Sequence, residues 1–87
     1  MIEKTLTILN EEGMHARPAG VFVKTANQFS SVVEIGFNGT RKNGKSIINL
    51  MSLGLKHKDE FVLFANGPDE APAIEALTVL IANKFSL

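Results

Sequence analysis

His15 and Arg17 stand two residues apart in Gly13-Met14-His15-Ala16-Arg17-Pro18-Ala19, which puts a nucleophilic ring nitrogen beside a planar, permanent cation. That pairing suits a phosphoryl group, because a neutral imidazole nitrogen can carry it and a guanidinium meets its oxygens in a bidentate fork. Ser46 offers a hydroxyl at a second break in the sequence pattern, directly after Gly44 and Lys45. His57, among Lys56, Lys58 and Asp59, reads as a solvated turn residue.

The chemistry of His15 depends on the elements that hold it. Upstream, Ile2, Leu6 and Ile8 alternate with Glu3, Thr5 and Thr7, the period of a strand with one buried face, and Asn10-Glu11-Glu12-Gly13 ends that pattern. Downstream, Ala19, Phe22, Val23, Ala26 and Phe29 recur at helical spacing, with Pro18 suited to the first turn. His15 is thereby predicted at or near the N-cap of a helix. A helix start presents unpaired N–H groups and the positive end of the dipole, so the Ala16 and Arg17 backbone is the predicted cradle for an anion.

The remaining pattern supplies a sheet and a second long helix. Val33, Ile35 and Phe37 form a strand, Asn38-Gly39 marks a two-residue hairpin, and Thr40-Arg41-Lys42 makes a short polar edge strand. The apolar run 61–65 predicts an interior strand closed by Asn66-Gly67-Pro68. Asp69 is the expected N-cap of the last helix, Pro72 lies in its first turn, and Ile74, Leu77, Ile81 and Phe85 draw its buried stripe. Two long helices on one face of an antiparallel sheet give an α+β open-faced sandwich.

Residues 46–55 are too apolar for a surface loop. Ser46 is a natural N-cap, and Leu50, Leu53 and Leu55 are assigned to the core, which leaves Ile47, Ile48 and Met51 facing outward. An apolar patch next to a reactive histidine would serve as a docking surface, with Gly20, Lys24 and Lys45 around it. Residues 39–46 also fit the nucleotide-binding pattern G-x-x-x-x-G-K-[ST], the mark of a P-loop hydrolase. That loop must leave a buried parallel strand and enter a long helix, whereas here it begins in a hairpin turn and its helix meets Gly54 within about two turns.

Eighty-seven residues suit one domain, 1–87, which buries roughly 60 to 65% of its unfolded surface and has no room for a cleft between lobes. A binding or carrier module is expected. Nine basic and nine acidic residues balance, so the global field that nucleic acid or an anionic membrane requires is missing. With no cysteine, and two histidines without clustered carboxylates, neither a metal nor a cofactor is expected. No apolar run approaches membrane-spanning length and the N-terminus carries no secretion signal, so a cytoplasmic monomer is expected.

The His15 stretch, Asn43-Gly44-Lys45-Ser46-Ile47 and Leu50-Met51-Ser52-Leu53-Gly54 together resemble HPr, the histidine phosphocarrier family of the bacterial phosphoenolpyruvate-dependent sugar phosphotransferase system. The likeness runs through essentially the whole chain. It implies a four-stranded antiparallel sheet covered by three helices in the order β-α-β-β-α-β-α. It further implies that His15 is phosphorylated on Nδ1 by enzyme I, that Arg17 is the arginine beside the phosphohistidine, and that the A component of a sugar-specific enzyme II receives the group. Such a carrier undergoes covalent phosphorylation without turnover of its own. Ser46 matches the serine that a dedicated kinase phosphorylates in many Gram-positive bacteria, a mark that weakens transfer and can promote binding to a transcription regulator.

Departures from the family pattern are few. Met14 replaces the commonest leucine at equal volume. Gly44 stands where a larger residue is usual, and Gly-Lys-Ser here is shared with the nitrogen-related paralogue of the family, whereas Pro18 argues for the sugar branch. Ile48 and Asn49 differ from the commonest Gram-positive residues beside the regulatory serine.

Overall fold

β1 (Ile2–Thr7) forms where the period-two pattern predicts it, and Ile8, one residue past its end, is fully buried. The computed structural model describes residues 1–86. After β1 come α1 (Ala16–Ala26), β2 (Val32–Phe37), β3 (Thr40–Asn43), α2 (Ile47–Ser52), β4 (Glu60–Asn66) and α3 (Glu70–Ala82). That is the expected β-α-β-β-α-β-α order.

All neighbouring strands are antiparallel, in the spatial order β1-β4-β2-β3. The apolar run of β4 is explained by its interior place, where Leu63 sits opposite both Lys4 of β1 and Ile35 of β2. Asn38 and Gly39 take φ of 52° and 75°, the positive pair that a type I′ hairpin needs to match strand twist. β3 is therefore an ordinary edge strand, and residues 40–43 pair with 34–37 instead of forming a phosphate-cradling loop. The P-loop alternative fails on this geometry.

Alternation decides which face is covered. Val33, Ile35, Phe61, Leu63 and Ala65 point to the buried side and meet Ala19, Phe22 and Ala26 of α1, Leu50 of α2, and Ala73, Ile74, Leu77, Leu80 and Ile81 of α3 in one cluster. Burying a side chain such as Phe22 or Leu77 stabilises the fold by about 1.5 to 3 kcal/mol. On the other face Arg41 lies 3.7 Å above the Phe64 ring. Gly44 is buried, and a Cβ there would stand 2.7 Å from Val33 Cγ1, which accounts for the missing side chain at that position.

Two helix ends differ from the expectation. Phe85 is buried as predicted but lies beyond α3, because Lys84 and Phe85 take positive φ and turn the ring back into the core. Asp69 is the N-cap residue of α3, yet its carboxylate makes no cap bond. It accepts instead from Ser30 N and Ser31 N, each at 2.9 Å, and from the Ser31 hydroxyl. These bonds, the Ser31 hydroxyl first, hold the Asp69 carboxyl down at about 2.

Candidate functional site

His15 is the N-cap of α1, with extended backbone at φ −82° and ψ −174°. An N-cap side chain usually accepts from a first-turn N–H, but the imidazole makes no such bond and stays exposed. The first N–H groups of a helix have no acceptor within it. Pro18 lacks an N–H and that of Ala19 donates to His15 O at 2.8 Å, so the open donors of this turn belong to Ala16 and Arg17. The structure thus brings together the predicted side chain and the predicted backbone cradle.

The loop before α1 is pinned from two sides. Gly13 has φ +68°, and a Cβ there would lie 2.5 Å from Leu55 O, so only glycine fits against that carbonyl. Met14 N donates to the same carbonyl at 3.0 Å, and the Met14 side chain is buried. Asn10, also buried, donates through Nδ2 to Gly13 O at 2.8 Å and to Glu12 Oε1 at 3.0 Å. Both partners accept, which fixes the orientation of the amide.

Arg17 is engaged as well. Its Nη2 meets Glu12 Oε2 at 3.3 Å and its Nη1 donates to Phe85 O at 3.3 Å. The Asn10 hydrogen bond, followed by that from Arg17, holds the Glu12 carboxyl below the usual glutamate range. Glu11, Glu12, His15, Ala16, Arg17 and Pro18 line one shallow hollow. A neighbouring hollow contains His15 together with Met51, Leu55, Lys56 and His57. His57 is exposed, in keeping with its reading as a solvated turn residue, yet it shares this hollow with His15, and Glu12 carries no sequence signal, since no local pattern reveals how these polar loops cross.

α2 lies against α1 and supplies the expected apolar surface. Its N-cap Ser46 accepts from Asn49 N at 3.3 Å through Oγ. Leu50 and Leu55 are buried and Leu53 half-buried, while Ile47, Ile48 and Met51 are exposed, Ile48 by 81%. Gly20 is half-buried with open space where a Cβ would be. Lys24 is exposed in the last turn of α1, whereas Lys45 Nζ donates to Phe29 O at 2.7 Å. A separate hollow on the uncovered sheet face, lined by Phe37, Arg41 and Phe64 among others, contains none of the residues around His15. Among the described residues, no group of three His, Cys, Asp or Glu side chains is placed to hold a metal, and no helix is long and apolar enough to cross a membrane.

A histidine-led helix start beside an apolar second helix is what the family likeness requires, and comparison with known proteins decides it. The family model described as PTS HPr component phosphorylation site matches residues 2–83. The chain belongs to the HPr family. It is similar to the phosphocarrier protein HPr of Treponema pallidum (strain Nichols), with 39% identity over 98% of this chain and 97% of that protein. The crystal structure of HPr-C-His from Thermoanaerobacter tengcongensis superposes with a TM-score of 0.95 at 46% identity, covering 98% of this chain and 96% of that one. The HPr structure from Bacillus anthracis gives 0.88 at 32% identity, covering 92% and 95%. As an HPr phosphocarrier, the chain acts among the enzymes of the phosphotransferase system that serve sugar transport.

Proposed function

We propose that His15 is the residue that carries the phosphoryl group, accepted on Nδ1 from phospho-enzyme I and passed to the A component of a sugar-specific enzyme II. The observation that carries this reading is the uncapped start of α1, where an exposed imidazole adjoins the open N–H groups of Ala16 and Arg17. In acceptance, the phosphorus–nitrogen bond of the donor breaks as the bond to His15 forms. The two N–H groups and the Arg17 guanidinium face the charge that accumulates on the phosphoryl oxygens. A carrier must release its load, so positioning with modest electrostatic support serves better than enclosure.

Partners dock on Gly20, Lys24, Ile47, Ile48 and Met51, with Lys45 at the margin. The support for this surface is the shared hollow of His15 and Met51 and the outward apolar side chains of α2. Ser46 is the regulatory position, open to a serine kinase, and a phosphate there adds roughly 1.5 to 2 negative charges to the docking surface without opposing the helix dipole.

Intact mass after incubation with phosphoenolpyruvate, magnesium and catalytic enzyme I tests the reading, with the nitrogen-branch enzyme I run alongside. Gain of one acid-labile phosphoryl group with the sugar-branch enzyme, lost in His15→Ala, is the expected result. Labelling that persists in His15→Ala would refute the assignment, and labelling by the nitrogen-branch enzyme alone would move the carrier to that branch.

A further inference from the structure

We propose that Glu12 is a positioning residue of the phosphoryl step: its carboxylate holds Arg17 in the unloaded carrier and competes with the phosphoryl group for it in the loaded one. The inference rests on His15 being the carrier residue. Glu12 comes from the loop before α1 and Arg17 from its first turn, and the two meet at 3.3 Å in the hollow that also contains His15. Asn10 fixes the other carboxylate oxygen from its buried place below the loop. Glu12 is therefore held at this spot by two donors instead of wandering through solvent.

The consequence follows from charge. A phosphoryl group on His15 brings about two negative charges into a hollow that already contains one carboxylate. Arg17 then has two anionic claimants and one planar fork. Whichever it serves, the loaded state contains a repulsion, or an unpaired glutamate, that the unloaded state lacks. Glu12 thereby raises the free energy of the loaded carrier relative to the empty one, which favours delivery. Replacing it with glutamine keeps the acceptor for Asn10 and removes the charge.

Exchange between the two chains measures this directly. Phospho-wild-type protein is mixed with an equal amount of Glu12→Gln and catalytic enzyme I, so that the phosphorus–nitrogen bond on one His15 breaks as that on the other forms. With the wild-type chain uniformly labelled with heavy nitrogen, which separates its mass from that of the nearly isobaric glutamine variant, intact mass then reads the partition at equilibrium. The phosphoryl group should accumulate on Glu12→Gln by about two- to fivefold, the range of one exposed charge pair. That preference should fall towards unity in 1 M salt, where the screening length is only about 3 Å. Glu12→Asp, which keeps the charge, should partition close to evenly with wild type. An even partition of Glu12→Gln at low salt, a preference for wild type, or a Glu12→Asp result equal to that of Glu12→Gln would overturn the inference while leaving the carrier role of His15 intact. Failure of both chains to take up phosphoryl from enzyme I would overturn the carrier reading itself.

Discussion

The starts of α1 and α2 are both capped by a residue with extended backbone but are built in opposite ways. At α2, Ser46 spends its hydroxyl on Asn49 N and closes the helix end. At α1, His15 occupies the same structural position and spends nothing, so its ring and two first-turn N–H groups stay available. The first is a stability device that also presents a modifiable hydroxyl. The second gives up a cap bond worth about 1 kcal/mol in exchange for an open anion cradle. The proposed function sits where the local rule for ending a helix is left unmet.

The sharpest test of that contrast is His15→Ala. It should abolish phosphoryl acceptance yet change unfolding free energy in urea by less than about 0.5 kcal/mol, since no cap bond is lost. A loss of stability as large as that at Ser46 would erase the distinction. Next in size, Ser46→Asp should preserve the fold, because aspartate is a good N-cap, while slowing transfer from enzyme I about tenfold by putting a charge into an apolar docking surface. An unchanged rate would remove Ser46 from that surface. Smaller still, Ser46→Ala should cost about 1 kcal/mol of stability, measured by the same urea titration, with phosphoryl acceptance retained.

The start of α3 extends the comparison, because Asp69 ties a different segment instead of its own helix. Its carboxyl titrates at about 2 in the folded chain against an ordinary 3.8. The stabilisation it contributes is therefore complete above its ordinary range and is lost as pH falls from there through about 2. Ser31→Ala removes the largest cause of the shift. It should lower the urea midpoint at pH 7 and flatten the loss between pH 4 and pH 2, whereas an unchanged acid slope would show that other groups govern that range.

Much of this was legible in the sequence. The period-two and helical spacings located β1, β2, α1 and α3, the apolar run located β4, the turn chemistry of Asn38-Gly39 placed β3 at the edge, and the Ser46 cap with the apolar residues after it marked α2. His15 at the N-cap and the outward set Ile47, Ile48 and Met51 followed from local pattern, because each is decided by neighbours within one or two turns. What pattern could not reveal are contacts made across the fold. Arg17 reaches Phe85 O and Lys45 reaches Phe29 O, and Asp69 leaves its own helix for Ser30 and Ser31. The Phe85 ring also lies off the helix stripe to which its spacing assigned it. In each case a long-range acceptor or a left-handed turn overrides the local preference.

The seam at Gly13 has a dynamic consequence. Because Met14 N is bonded to Leu55 O and no side chain fits between the two backbones, the segment that presents His15 and the segment leaving α2 cannot loosen separately. They are expected to open as one cooperative unit. In hydrogen exchange, the amide of Met14 should lose its protection in the same event that frees Leu55. A partner seated on α2, as proposed, would therefore also quiet the backbone that aims the histidine.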